Sequence, residues 1–146
     1  LGRHHDFRRV NDNERGYRYQ PMNGAYDVEL RKMLREAGSS YEGHVHEGVY
    51  LALTGPTYET EAECVGFRDG LKADTVGMSV ANEVIVARNR GMRTVGMSCI
   101  TNVITEDGTN ATNHEEVKAI LESPKVKERL SSTVRNFFKL YREQYM

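Results

Sequence analysis

Three short apolar runs, separated by segments with helical periodicity, constrain the fold of this chain more than any other feature. The runs cover residues 48–54, Ala73 to Met78 and Thr94 to Ile100, and each has the length of a buried strand. Because strands that alternate with helices form parallel sheets, we predict an α/β fold with a mixed, largely parallel central sheet flanked by helices. The 146 residues are predicted to lie within one domain.

The intervening segments predict helices, several of which carry end signals. The first begins at Asn23 or Gly24 and stops at Gly38. Thr60 and Glu63 have the spacing of a capping box at the start of the second. A third helix is predicted from Asn82 to Arg90, ended by Gly91. A fourth is capped by Thr112 or Asn113 and has Glu115 and Glu116 in its first turn. A long fifth helix begins at Lys125, and its apolar face carries Val126, Leu130, Val134, Phe137, Phe138 and Tyr141.

Composition excludes several classes of function. The net charge is −1, so we expect no nucleic-acid partner. No apolar run approaches the roughly 20 residues that cross a bilayer, so we expect no membrane partner. Cys64 and Cys99 do not belong to a Cys-x-x-Cys motif, which favours reduced thiols in a cytoplasmic protein. The histidines lack the Cys/His spacing of a zinc site, so no metal is expected.

The beginning of the chain differs from an ordinary N-terminus. It opens at Leu1 with a stretch rich in arginine and histidine, so we expect the chain to be part of a longer protein. Residues 1–22 show neither helical nor strand periodicity, but they carry Tyr17 and Tyr19 among arginines. We therefore predict an ordered loop or interface segment there.

Polar residues follow the first and the third apolar run. Glu59 lies after the first, and Asn102 lies after the third. Because ligands of open α/β sheets bind beyond the carboxyl ends of the strands, these two side chains could face one small molecule. A 6-oxopurine suits the pair, since its N1–H and 2-amino group donate to a carboxylate, while its O6 and N7 accept from a carboxamide. A hydrogen bond to N7 would strengthen as negative charge builds on the purine when the bond to the ribose breaks.

Each candidate residue also has an ordinary structural interpretation, which the sequence leaves open. Glu59 directly precedes Thr60 and could simply complement a helix N-terminus. Asn102 could close a strand as a turn residue. Ser79 could bind a phosphate or cap the next helix, and His114 could contact a ribose hydroxyl or simply lie on the surface at a helix start.

Four linked blocks of residues together resemble the trimeric, low-molecular-mass class of purine nucleoside phosphorylases. The similarity spans nearly the whole chain and corresponds to the C-terminal part of that family's single domain, with residues 11–12, 15–19 and 25–27 resembling an upstream family segment. The blocks are Gly55-Pro56-Thr57-Tyr58-Glu59-Thr60 with Ala62-Glu63-Cys64; Val76-Gly77-Met78-Ser79 with Asn82-Glu83-Val84-Ile85-Val86-Ala87; Ile100-Thr101-Asn102; and Asn113-His114-Glu115-Glu116-Val117.

The resemblance implies phosphorolysis of 6-oxopurine nucleosides such as inosine and guanosine. Phosphate would attack the anomeric carbon of an oxocarbenium-like sugar and release the free base and (deoxy)ribose 1-phosphate, with no metal or organic cofactor. Glu59 and Asn102 would recognise and activate the base. The other implied roles are Tyr58 packing on the base, Val76 and Thr101 lining the same pocket, Met78 lying under the ribose, Ser79 binding phosphate and His114 contacting the ribose 5′ end.

The resemblance also implies a homotrimer that acts in purine salvage, in which Tyr17 or Tyr19 would reach a neighbouring subunit's site. The part of the family that this chain lacks holds a glycine-rich phosphate loop, an Arg-x-His segment and a ribose-contacting tyrosine. Ser79 is then the one remaining phosphate ligand, and the 146 residues alone are expected to be inactive.

Two alternative functions remain open at this point. The chain could be a truncated, catalytically incompetent module that binds purines or protein partners. It could also be an enzyme of the methylthioadenosine phosphorylase type, although members of that family carry aspartate at the position of Asn102, which matches the 6-amino group of adenine.

Overall fold

A computed structural model describes residues 19–40, 45–109 and 112–146. Tyr17 and most of the predicted interface segment lie outside these ranges, and Tyr19 is 81% exposed. The alternation of strands and helices predicted from the sequence is present in the middle of the chain. In chain order the elements are α1 (Val28–Ala37), β1 (Tyr50–Ala52), α2 (Glu61–Leu71), β2 (Thr75–Gly77), α3 (Ala81–Asn89), α4 (His114–Glu122) and α5 (Pro124–Tyr145).

Strands β1 and β2 form a parallel pair joined through α2, which confirms the α/β class. Leu51 pairs with Val76 at the centre of the register. Each strand is three residues long, so both are shorter than the predicted runs. Backbone hydrogen bonds extend the pairing at both ends, from Asp74 N to Val49 O (2.9 Å) and from Leu53 N to Gly77 O (2.8 Å).

The third predicted strand, Thr94 to Ile100, is wrong in its extent. Only Thr94 pairs, in an isolated parallel bridge with Tyr26. The amide of Asp27 donates to the Thr94 carbonyl at 2.8 Å beside this bridge. A ladder needs a neighbouring strand to share its hydrogen bonds, and within the described ranges the sheet contains only β1 and β2.

Helix α1 begins later than the sequence predicted. Asp27 is its N-cap, and its carboxylate accepts hydrogen bonds from the amides of Glu29 and Leu30. Gly24 cannot start the helix because its φ of 67° lies in the left-handed region. Gly38 is the C-cap, which confirms the predicted stop.

The predicted caps of α2 and α4 are confirmed. Thr60 caps α2, and a reciprocal bond from the Thr60 amide to Glu63 Oε2 (2.9 Å) completes the capping box. At α4, the Asn113 side chain accepts from the amide of Glu115 at 3.0 Å. Both helix starts thus follow from local chemistry that the sequence displays.

Helix α3 lies within one residue of its predicted bounds, but it begins differently. Its N-cap is Val80, which has a φ of 69° and makes no side-chain capping bond. The interpretation of Ser79 as the cap is therefore wrong. Gly91 follows the helix with a φ of 72°, consistent with the predicted stop.

The hydrophobic core lies mainly between α1 and α5, which pack together. Leu30 and Met33 of α1 are each 5% exposed, and Thr133 of α5 is 3% exposed. The predicted apolar face of α5 is partly wrong, since Val134 and Phe138 remain exposed. Thr133 lies on the buried side of α5. At 3.6 residues per turn, residues 134 and 138 lie on a different side of the helix.

An ion-pair network joins the start of α1 to the end of α5. Arg93 Nε and Nη2 donate to the two carboxylate oxygens of Asp27 at 2.7 and 2.9 Å. The same guanidinium bonds to Glu29 and lies 5.1 Å from the centre of the Tyr145 ring. Chiefly through the hydrogen bond from Arg93, and also through the Leu30 amide, the pKa of Asp27 is held well below its usual range.

We expect Asp27→Asn to lower the free energy of unfolding at neutral pH and to flatten its decline in acid. A carboxyl group whose pKa is lowered by folding contributes stability above its unfolded pKa, near 3.8, and loses that contribution as pH falls toward its folded pKa. Asparagine still caps a helix, so the substitution isolates the charge. Urea unfolding between neutral pH and about pH 2 measures the effect. Glu128→Gln, in the exposed pair with Arg135, is the control, and an unchanged pH slope in Asp27→Asn would contradict the prediction.

Candidate functional site

Four of the candidate residues, Tyr58, Glu59, Met78 and Ser79, lie beyond the carboxyl ends of the two paired strands. Strand β1 ends at Ala52, which is in register with Gly77 at the end of β2. Because the strands are parallel, the segments that follow them leave from the same edge of the sheet. Tyr58 and Glu59 lie in the first segment, and Met78 starts the second.

The two segments contact each other where Gly55 meets Met78. A Cβ atom placed on Gly55 would collide with Met78 Sδ, so the Met78 side chain would have to move away. Gly55 also has a φ of 61°, in the left-handed region that glycine adopts readily. Glycine at this position therefore allows Met78, 38% exposed, to lie directly against the loop that carries Tyr58 and Glu59.

Tyr50 holds the backbone of Ser79 in place. The Tyr50 hydroxyl donates to the Ser79 carbonyl at 3.2 Å and accepts from the Ser79 amide at 3.3 Å. The ring crosses over Gly77, where an added Cβ would lie 2.3 Å from the hydroxyl oxygen. The sequence analysis placed Tyr50 in a strand and gave it no other role. Gly77 lies two positions beyond the residue that pairs with Tyr50, and a glycine there leaves room for the tyrosine ring.

We expect Tyr50→Phe to reduce the free energy of unfolding by about 1 kcal/mol and to speed amide exchange at Ser79, because both hydrogen bonds are lost. Gly77→Ala should cost more, since its methyl group collides with the Tyr50 hydroxyl. Urea unfolding and hydrogen exchange measure the two effects. The control is Tyr141→Phe, whose hydroxyl has no hydrogen bond recorded within the described ranges. Equal exchange at Ser79 in Tyr50→Phe and Tyr141→Phe would refute the assignment.

A hydrogen bond joins the segment after β1 to the start of α4. The Tyr58 hydroxyl and His114 Nδ1 lie 3.0 Å apart. His114 is exposed, which agrees with its interpretation as a surface residue. It is nevertheless hydrogen-bonded to Tyr58, another candidate residue. Two candidates that are 56 positions apart in sequence thus lie side by side.

The Asn102 side chain is held by two threonines. Its Nδ2 donates to Thr112 Oγ1 at 3.0 Å, and its Oδ1 accepts from Thr101 Oγ1 at 3.2 Å. These bonds run to side chains, whereas a turn-closing asparagine bonds its own backbone. A carboxamide nitrogen has two hydrogens, so one donor remains for a ligand after the bond to Thr112.

The Glu59 carboxylate is half-buried, and no hydrogen bond or ion pair to it is recorded among residues 19–40, 45–109 and 112–146. Glu63, not Glu59, completes the capping box with Thr60, and hydrogen bonds from Thr60 lower the pKa of Glu63. The interpretation of Glu59 as a charge that complements the helix N-terminus stays a prediction, since the residue directly precedes the Thr60 cap. In the described part of the chain, no hydrogen bond joins Glu59 to Asn102.

The environment of Cys64 favours the protonated thiol. Cys64 and Cys99 are both free. Burial raises the pKa of the Cys64 thiol, and the negative charges of Glu59 and Glu63 raise it further. Cys64 is thus held in its protonated form, which is a poor nucleophile.

Val76 and Thr101 are both half-buried. Val76 lies at the centre of β2, and Thr101 directly precedes Asn102 in sequence. Across the described ranges, no cluster of three or more His, Cys, Asp or Glu side chains is placed to hold a metal ion. Nor does any helix in those ranges combine the length and apolar character needed to cross a membrane.

Comparisons with known proteins agree in the family that they indicate. The model of the Phosphorylase superfamily matches residues 3–139. Purine nucleoside phosphorylase 1 of Bacillus subtilis is 39% identical over 115 residues, which cover 79% of this chain and 42% of that protein. The purine nucleoside phosphorylase of Bos taurus is 42% identical over 113 residues, covering 73% of this chain and 38% of that protein.

Solved structures show the same relationship. Schistosoma purine nucleoside phosphorylase in complex with hypoxanthine has a TM-score of 0.78 and 33% identity, over 88% of this chain and 46% of that one. The complex of Schistosoma purine nucleoside phosphorylase with guanosine also gives a TM-score of 0.78, at 32% identity, over 88% of this chain and 47% of that one. The chain therefore spans less than half the length of these relatives.

Proposed function

Because the chain belongs to the phosphorylase superfamily, we propose that it provides the base-binding part of a purine nucleoside phosphorylase specific for 6-oxopurines. The reaction is reversible phosphorolysis of inosine, guanosine and their deoxy forms to the free base and (deoxy)ribose 1-phosphate. Relatives of known structure bind hypoxanthine and guanosine, which are a 6-oxopurine and its nucleoside. The working enzyme is a cytoplasmic homotrimer in purine salvage.

The observation that carries this proposal is the Glu59 carboxylate, which has no hydrogen-bond or ion-pair partner among the residues that the structure describes. It is half-buried beside Tyr58, which is hydrogen-bonded to His114. An acceptor without a partner in a partly buried position suits a ligand that brings donors, and the N1–H and 2-amino group of guanine are such donors. The Asn102 amide supplies the complementary donor for N7.

The Glu59–Asn102 pair favours the transition state over the ground state. When the glycosidic bond breaks, negative charge develops on the purine ring, and the hydrogen bond from Asn102 to N7 becomes stronger. At the same time Glu59 holds the N1–H edge and fixes the orientation of the base. Both side chains thus promote departure of the base without a metal or organic cofactor.

The remaining candidates surround the sugar and the phosphate. Tyr58 packs on the base, and its hydroxyl holds His114 toward the ribose 5′ end. Met78 lies under the ribose, and Ser79 binds phosphate while Tyr50 fixes its backbone. Val76 and Thr101 line the base pocket.

The test of this function is phosphate-dependent release of hypoxanthine from inosine by the assembled protein, followed by absorbance or chromatography. We expect release that requires phosphate and yields ribose 1-phosphate. Hypoxanthine binding without turnover would contradict the enzyme proposal and support a purine-binding module. Release of hypoxanthine without phosphate would contradict phosphorolysis.

Asn102→Asp is expected to shift preference from hypoxanthine toward adenine. A carboxylate accepts from a 6-amino group, whereas it repels the O6 of a 6-oxopurine and leaves it without a donor. Binding titrations with both bases measure the shift, and we expect the ratio of affinities to change by about tenfold or more. Asn113→Asp, which retains the cap of α4, is the control. A variant at Asn102 that still prefers hypoxanthine by the wild-type factor would contradict this role.

A further inference from the structure

The segment between Asn102 and His114 contains a compact turn with its own hydrogen bonds. Asp107 Oδ1 accepts from Thr105 Oγ1 at 2.7 Å, from the Thr109 amide at 3.1 Å and from Thr109 Oγ1 at 2.9 Å. These bonds lower the pKa of Asp107, so the carboxylate stays charged and the turn keeps its shape at neutral pH. We call residues 105–109 the tethered turn.

The tethered turn lies directly against the first turns of α2. Gly108 is buried, and a Cβ atom added to it would lie 3.0 Å from the Glu61 carbonyl oxygen and 3.3 Å from Cys64 Cβ. Its φ of 75° is also in the left-handed region. Only glycine therefore allows this close approach without strain. The contact lies two residues beyond Glu59 along the chain.

Arg68 makes the second attachment of the tethered turn to α2. Its Nη1 donates to the carbonyl oxygen of Glu106. The rest of the guanidinium is held by Asp69, through Nε to Oδ1 at 2.7 Å and Nη2 to Oδ2 at 3.1 Å. Asp69 thus holds the planar guanidinium group so that its remaining nitrogen, Nη1, points at the tethered turn.

We propose that Arg68 and Gly108 are positioning residues for purine recognition, because they fix the segment that carries Asn102 and His114 onto the helix that follows Tyr58 and Glu59. The proposal rests on the base-binding function above. In the described part of the chain, Glu59 and Asn102 have no direct hydrogen bond, so their separation is set by such indirect attachments. Arg68 does not touch the purine; it acts through the placement of Asn102.

The test is calorimetric titration of hypoxanthine into the protein and into Arg68→Gln. We expect Arg68→Gln to bind about three- to tenfold more weakly, as expected when one charge-assisted hydrogen bond is lost at a partly exposed site. Arg68→Lys, which can still donate to Glu106, should recover most of the affinity. The matched control is Arg135→Gln, which removes an arginine from the exposed pair with Glu128 on α5 and should leave affinity unchanged.

A double-mutant cycle separates positioning from a general loss of structure. In an Asn102→Ala background, Arg68→Gln should have no further effect on hypoxanthine affinity, because the residue through which it acts is gone. The same loss in both backgrounds would overturn the inference. Gly108→Ala, with its unfolding midpoint measured in parallel, should weaken binding more than Arg68→Gln does.

The outcomes also distinguish this inference from the function on which it rests. If the unmodified protein fails to bind hypoxanthine, the proposed function is wrong, and this inference falls with it. If the unmodified protein binds and Arg68→Gln binds equally well, only the positioning role of Arg68 is wrong.

Discussion

Replacing Glu59 with glutamine is expected to weaken guanine binding by about a hundredfold, because guanine presents two donors, N1–H and the 2-amino group, to the half-buried Glu59 carboxylate. Glutamine preserves the size of the side chain, but whichever way its carboxamide turns, its NH2 group opposes one of these two donors. A carboxylate accepts with both oxygens, whereas the carboxamide accepts with only one. The change therefore tests the acceptor chemistry with little change in shape.

Calorimetric titration measures this effect, and Glu61→Gln is the control. Glu61 lies two residues farther along the chain, in the first turn of α2, and its side chain has no part in the proposed pocket. Glu61→Gln should bind guanine like the unmodified protein. If Glu59→Gln and Glu61→Gln have equal affinities, Glu59 only complements the helix N-terminus, as its ordinary interpretation holds.

The largest effect on stability is expected for Leu30→Ala. Leu30 is 5% exposed and lies in α1, the helix that packs against α5. Removing its three outer carbons leaves a cavity and should lower the free energy of unfolding by about 2–5 kcal/mol. Only five hydrophobic residues are buried among those described, so α1 makes a large contribution to the core.

Urea unfolding of Leu30→Ala and Leu71→Ala checks this expectation. Leu71, at the end of α2, is 51% exposed, and its truncation should cost about 0.5 kcal/mol or less. Both changes replace leucine by alanine within a helix, so helix propensity is nearly matched. Equal losses in the two variants would show that the α1–α5 contact is not the centre of the core.

Features encoded by neighbouring residues were predictable from the sequence. The capping box of Thr60 and Glu63, the Asn113 cap and the stop at Gly38 depend on contacts within a few positions, and all three are confirmed. The strand from Thr94 to Ile100 failed because its apolar pattern says nothing about which strand lies next to it. Strand formation depends on that distant partner.

The same distinction applies to the candidate site. The position of Tyr58 and Glu59 beyond a strand end followed from the pattern of apolar runs, and parallel pairing of β1 with β2 supports it. Tyr50 and Arg68 were missed because their contacts cross 29 and 38 positions of sequence. The position of Tyr50 relative to Gly77 could have indicated its contact only if the pairing of β1 with β2 was already known.

A competition between hypoxanthine and adenine for the unmodified protein tests the central claim most directly. The claim is that Glu59 and Asn102 form a pocket for 6-oxopurines. We predict that hypoxanthine binds about tenfold or more tightly than adenine, since adenine presents a 6-amino donor toward the Asn102 amide and has no N1–H for Glu59. Equal affinity for the two bases, or a preference for adenine, would contradict this account.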